Sequence, residues 1–209
     1  ITSSKPYNAS GKIYFNLNGN GYVCSGALIG KALVSTAAHC VAEFGGNVAD
    51  AVYFIPAATS SSGNFGGPLG VWTAKKLYIP ACYTAGDCTS NAGGVVNEND
   101  IALFTLKLKQ GDTPYDRGAH FLNYGWNNVG FTNNDDPFGI ISADKRGQIT
   151  TLGYPAAIGD KSSNRGGSMI RTDSLAFVNN ESATIGSGNT FDQYYWGSGQ
   201  SGGSSGSAV

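Results

Sequence analysis

Two short segments hold residue types that can do chemistry together. Gly202-Gly203-Ser204-Ser205-Gly206-Ser207-Ala208 presents serines in a tight glycine turn, and Ser35-Thr36-Ala37-Ala38-His39-Cys40 sets a histidine at the end of an apolar run, beside a cysteine. A serine hydroxyl is a weak nucleophile until a neighbouring imidazole takes its proton. Flanking glycines let the backbone turn sharply enough to aim N–H groups at an oxyanion. The pair points to nucleophilic acyl transfer. Such chemistry wants a carboxylate behind the imidazole, and Asp100, in Asn99-Asp100-Ile101-Ala102-Leu103, stands at the mouth of an apolar strand where it can be buried against an imidazole N–H. The rivals are local: Glu98 is a second acid, and Ser201, Ser204 and Ser207 crowd Ser205, with Ser204 ranking next after it. Each candidate also has a plain structural reading: His39 as a packed histidine, Asp100 as a strand-ending turn residue, Ser205 as one serine of a low-complexity tail. The second histidine, His120, falls in an irregular stretch and reads as a surface or loop residue.

The elements that must position these groups are strands. Short apolar segments at 12–17, 22–29, 32–36, 51–57, 71–79 and 101–106 are rich in β-branched and aromatic residues and are broken by glycine, asparagine and serine. Asn18-Gly19-Asn20-Gly21 is a turn signal between the first two. Six strands with no long amphipathic helix predict a small closed barrel. The text turns irregular over 111–137, then strand signals resume at 147–154 and 168–178. Residues 197–207 are almost wholly glycine and serine and, taken alone, would read as a flexible linker.

The chain has 209 residues, enough to bury a sizeable core as one domain or two small ones, with 31 glycines and only 13% charged residues. A net charge of −1 and the lack of any basic run give no electrostatic case for nucleic acid or an anionic membrane. No apolar stretch nears the roughly 18–20 residues of a membrane span. An Ile at position 1 fits a processed, secreted protein. Of three possible pairings among Cys24, Cys40, Cys82 and Cys88, the spacings favour Cys24–Cys40 and Cys82–Cys88, in an oxidising compartment. No Cys-x-x-Cys occurs, and two histidines are too few for a convincing zinc site; acyl transfer by a serine and a histidine would need no metal or organic cofactor.

Four stretches together resemble the chymotrypsin-like serine proteases, in particular secreted bacterial and fungal trypsin-like and glutamyl-endopeptidase-like enzymes. Cys24-Ser25-Gly26-Ala27-Leu28-Ile29 followed by Thr36-Ala37-Ala38-His39-Cys40 is similar to the family's histidine box, and Asn99-Asp100-Ile101-Ala102-Leu103 to its aspartate box. Leu152-Gly153-Tyr154-Pro155 recurs in the second barrel of that subset, and Gly203-Ser204-Ser205-Gly206-Ser207 looks like the serine box. The match runs from near Pro6 to the end. The resemblance implies an all-β fold of two six-stranded antiparallel barrels, the second incomplete in this chain. It also implies that residues 1–112 form the first barrel with His39 and Asp100, and 113–209 the connection and partial second barrel with Ser205. It further implies a triad of His39, Asp100 and Ser205, an oxyanion hole from the Gly203 and Ser205 amides, and a specificity pocket that includes Gly199 and Gln200.

Three positions depart from the family pattern. Ser204 stands where trypsin-type enzymes carry the Asp that pairs with a freed N-terminal Ile amine, so Ile1 lacks that partner. Gly199 stands where a pocket Asp would select Lys or Arg, so that preference is not expected. The chain stops at Val209, where the family continues, which predicts an associated C-terminal polypeptide completing the second barrel. The expected function is a secreted serine endopeptidase working through an acyl-enzyme on protein or peptide substrates, with zymogen processing. The alternative is a catalytically inactive homologue or fragment acting as a binding protein, with an esterase on the same fold as a third. Asn8-Ala9-Ser10 and Asn180-Glu181-Ser182 are glycosylation sequons, and Asp135-Asp136 is a weak calcium motif.

Overall fold

Strand β1 (Ser10–Leu17) shows why these segments pair. Ile13, Phe15 and Leu17 are buried, whereas Asn16 between them is exposed, the period-two pattern of a strand with one face on a core. Asn18 and Gly19 then take positive φ angles of 52° and 78°, the left-handed pair of a two-residue hairpin turn, and set Leu17 opposite Asn20 of β2 (Asn20–Gly30). β3 (Leu33–Thr36), β4 (Ala51–Pro56), β5 (Trp72–Tyr78), a short helix α1 (Ala81–Ala85) and β6 (Ala102–Leu106) follow. The computed structural model describes residues 4–59, 66–88, 97, 99–122, 146–156, 168–184, 190–196 and 200–208, with backbone alone at 146–149, 175–184 and 190–196.

The first six strands form one closed antiparallel barrel in the order β1-β2-β3-β6-β5-β4, with β4 pairing back onto β1. Closure leaves no unpaired edge among them. Ile13, Leu28, Val34, Phe54, Trp72 and Phe104 fill the interior, and the Phe54 and Phe104 rings meet edge-on at 6.4 Å. Each such side chain stabilises the fold by about 1.5–3 kcal/mol through burial. Beyond the barrel, β7 (Arg146–Gly153), β8 (Ile170–Thr184) and β9 (Thr190–Trp196) form a three-stranded antiparallel sheet.

The six expected barrel strands coincide with those observed, differing only at their ends. Helix α1 and strand β9 were not anticipated. Both favoured disulfides are formed, Cys24–Cys40 and Cys82–Cys88. The sequon at Asn8 is closed to modification: its side chain is fully buried, and Nδ2 donates to the Gly118 carbonyl at 3.1 Å. His120 is exposed and lies within hydrogen-bonding distance of the Asn8 amide, in keeping with a loop residue. The side chain of Asn180, and Asp135-Asp136 altogether, lie outside the described residues. Among the described residues, no helix is long and apolar enough to cross a membrane.

Candidate active site

β3 ends at Thr36, and the chain enters a single 3-10 turn, Ala38–Cys40, which carries His39. Ala38 and Cys40 on either side are fully buried, and Cys40 is tied to β2 through Cys24, so the turn cannot swing. Asp100 is set just ahead of β6 by a nested turn. The Asn97 side-chain oxygen accepts the Asn99 N–H at 2.8 Å, and the Asn97 carbonyl accepts the Asp100 N–H at 2.9 Å.

The two groups meet through both carboxylate oxygens. Oδ2 lies 2.7 Å from His39 Nδ1, and Oδ1 accepts the His39 main-chain N–H at 2.8 Å. The Asp100 side chain is 6% exposed against 25% for His39, so the carboxylate sits behind the imidazole and the ring keeps an open edge. A carboxylate only accepts, which assigns the proton to Nδ1 and leaves Nε2 as a lone pair able to take another. Tyr83, on α1, is fully buried, and burial first, then the nearby Asp100 charge, push its hydroxyl well above its ordinary value.

The serine segment docks against the strands that carry the histidine. Ser25 of β2 donates its N–H to the Ser205 carbonyl at 2.8 Å and its hydroxyl to the Gly203 carbonyl at 2.8 Å, and accepts the Tyr154 N–H at 2.8 Å. Cys40 Sγ lies 3.6 Å from the Ser205 carbonyl oxygen, which sets Ser205 beside the residue that follows His39. Gly206 has φ of 76°, and a Cβ there would come within 2.5 Å of the Ser25 carbonyl and 2.8 Å of the Ala37 nitrogen, so only glycine fits. Leu152 and Ala208 exchange backbone hydrogen bonds, and Ala156 N–H donates to the Gly202 carbonyl at 2.7 Å. The glycine-serine stretch is thus a docked turn between barrel and sheet.

Of the candidate residues, the structure pairs His39 with Asp100 and lays Gly203 and Ser205 along β2 beside the Cys24–Cys40 bridge. The neighbouring serines have other commitments: Ser204 Oγ donates to the Ser201 carbonyl at 2.8 Å, and Ser207 Oγ donates to the Ser204 carbonyl. Among the described residues, the Gly203 and Ser205 N–H groups meet no acceptor. Gln200 donates through Nε2 to Thr172 Oγ1 at 2.9 Å, bridging the serine segment to β8. Gly199, Glu98 and Ile1 lie outside the described residues. Sequence reasoning missed the role of Ser25 and the burial of Tyr83 near Asp100. Ser25 adjoins Cys24 and was open to notice; nothing local marks Tyr83.

A closed six-stranded barrel followed by a second antiparallel sheet is the trypsin-like fold, and comparison with solved structures bears this out. The chain is similar to a thermostable serine protease, AL20, from an extremophilic microorganism (21% identity, TM-score 0.61, covering 94% of this chain and 82% of that one). It is similar to the protease Anisep from Arthrobacter nicotinovorans (25% identity, TM-score 0.61, covering 95% and 82%). It also resembles a Glu endopeptidase (22% identity, TM-score 0.54, covering 100% and 75%). A search of curated protein sequences returns no match. The class is that of the serine endopeptidases, hydrolases acting on proteins or peptides. The chain belongs to the Trypsin family, whose family model matches residues 2–208.

Proposed function

We propose that the protein is a secreted serine endopeptidase with His39, Asp100 and Ser205 as its triad. The observation that carries the reading is the two-oxygen grip of Asp100 on His39, with a docked glycine turn presenting Ser205 on the adjoining strand. In this mechanism His39 Nε2 takes the Ser205 hydroxyl proton as the oxygen attacks a peptide carbonyl. The Gly203 and Ser205 N–H groups receive the oxyanion, and the imidazolium, held against Asp100, returns its proton to the leaving amine. Water then repeats the cycle on the acyl-serine. Asp100 fixes the tautomer and steadies the charge on the ring. The commitment of Ser204 and Ser207 to main-chain carbonyls favours Ser205 as the nucleophile.

The division at 112/113, the pocket role of Gly199 and Gln200, and processing into two chains belong to the same proposal. Two disulfides support an oxidising, extracellular setting. The test is intact-mass spectrometry after treatment with a fluorophosphonate. The expected result is one phosphonyl adduct, mapped to Ser205 and lost in Ser205→Ala. A folded protein that takes no adduct would establish the inactive homologue instead. A co-purifying second polypeptide is read from the same spectrum, and matched ester and amide substrates separate an esterase from a peptidase.

A further inference from the structure

In the protease reading above, the Gly203 N–H is one of two donors to the oxyanion, and the backbone around it shows what aims it. Residues 201–207 make two successive turns. The Ser204 N–H donates to the Ser201 carbonyl at 3.2 Å, and the Ser207 N–H to the Ser204 carbonyl at 3.0 Å. Gly203 takes the third place of the first turn, with φ of 95°. A glycine so placed can rotate the peptides on either side of it, so the direction of its N–H has to be fixed from outside. Two hydrogen bonds do this. The Ala156 N–H donates to the Gly202 carbonyl at 2.7 Å, and because that peptide is planar and trans, the Gly203 N–H must point the opposite way. The Ser25 hydroxyl donates to the Gly203 carbonyl at 2.8 Å and holds the following peptide.

Ser25 stands behind both bonds. Its Oγ also accepts the Tyr154 N–H at 2.8 Å, two residues before the N–H that grips Gly202. Gly203 packs against that same stretch: a Cβ on it would fall 2.8 Å from the Tyr154 carbonyl oxygen. We propose that Ser25 is a positioning residue: through one fully buried hydroxyl it fixes the peptides on both sides of Gly203 and so aims the Gly203 N–H at the oxyanion. The consequence for rate rests on the protease reading; the hydrogen bonds do not. With the hydroxyl gone, the Gly203 carbonyl is released and the Tyr154–Ala156 stretch loses an anchor on the barrel. Ser205 keeps its own tie to β2, the Ser25 main-chain N–H on its carbonyl at 2.8 Å, so the nucleophile stays while the hole loosens.

That difference can be measured. Ser25→Ala deletes the hydroxyl and keeps the main-chain bond. Its rate of fluorophosphonate labelling should fall by about ten- to a hundredfold, short of the loss of a whole oxyanion donor. Hydrolysis of p-nitrophenyl acetate should fall by a similar factor. That of p-nitrophenyl thionoacetate should fall by about threefold at most, because a thiocarbonyl sulfur is a poor acceptor and gains little from the hole. Ser25→Thr, which restores the hydroxyl, should recover most of the loss. A displaced nucleophile slows both esters alike, so an active wild type in which Ser25→Ala lowers both equally, or neither, would overturn the proposal. The second readout needs no turnover: the 13C resonance of the Gly203 carbonyl, which should move upfield in Ser25→Ala and return in Ser25→Thr. In the wild type the same resonance should split in mixed H2O and D2O, as the buried, slowly exchanging Ser25 hydroxyl carries one isotope or the other. This serves if the alanine variant folds poorly, and an unsplit line would defeat the proposal. A wild type that takes no label, yet shows these carbonyl shifts, would sustain the hold of Ser25 on Gly203 and defeat the protease reading.

Discussion

Ser25 illustrates how much one small side chain can organise. Its hydroxyl donates to the Gly203 carbonyl and accepts the Tyr154 N–H, joining three parts of the chain at a fully buried point. Ser25→Ala leaves that carbonyl and that N–H unpaired in a place water cannot reach, at a cost of about 1–3 kcal/mol. For a chain of this size, the Tm should drop by roughly 2–10 °C. Calorimetry checks this, and an unchanged Tm would mean that the two groups find other partners. His39 and Asp100 were legible in the sequence because each lies in a short local pattern: small residues and a cysteine around the histidine, an apolar strand after the aspartate. Tyr83 was not, since nothing in Ala81-Cys82-Tyr83-Thr84-Ala85 distinguishes a tyrosine buried near a distant carboxylate from any other core tyrosine. That neighbour lies far along the chain.

Strands of the barrel were legible for a related reason: period-two burial in segments such as β1 writes the core face directly into the residues. Helix α1 is five residues long, too short to display any period, and is fixed by Pro80 ahead of it, Gly86 behind it and a disulfide across it. The glycine-serine stretch at 200–208 has linker composition, yet docks through backbone hydrogen bonds that composition does not encode. The Cys24–Cys40 bridge belongs to this scale, because it fastens the turn carrying His39 to β2. Closing a loop of this length is worth about 3 kcal/mol in the chain-entropy account. Replacing both cysteines by alanine should lower stability to urea by about that amount. The rate of Ser205 labelling should fall further than the stability loss explains. Equal labelling rates in the two folded proteins would show that the buried walls hold the turn unaided.

At the scale of the whole molecule, two buried tyrosines tie stability to pH. Burial is the main cause that pushes up the hydroxyl of Tyr83, on α1 in the main core, and that of Tyr154, where β7 gives way to the segment contacting Ser25. Both are neutral in the fold and remain so above about pH 10, where an unfolded tyrosine loses its proton. The unfolded chain then holds fewer protons than the folded one, so stability falls as pH rises. The limiting slope is about 1.4 kcal/mol per pH unit for each tyrosine. Urea midpoints measured from pH 8 to 11 should stay level and then drop beyond 10, less steeply in Tyr83→Phe; a flat profile would refute this. The docking of the serine turn has another consequence. The turns bearing Ser205, His39 and Asp100 are all mounted on barrel strands, Ser205 on β2, His39 after β3 and Asp100 ahead of β6. A part clamped between two plates keeps its alignment only while both hold their places, and Leu152 of β7 and Thr172 of β8 grip the segment that Ser25 holds from the barrel. Recutting the β7–β9 sheet therefore reaches Ser205, while His39 and Asp100, set on turns of the barrel, keep their pairing.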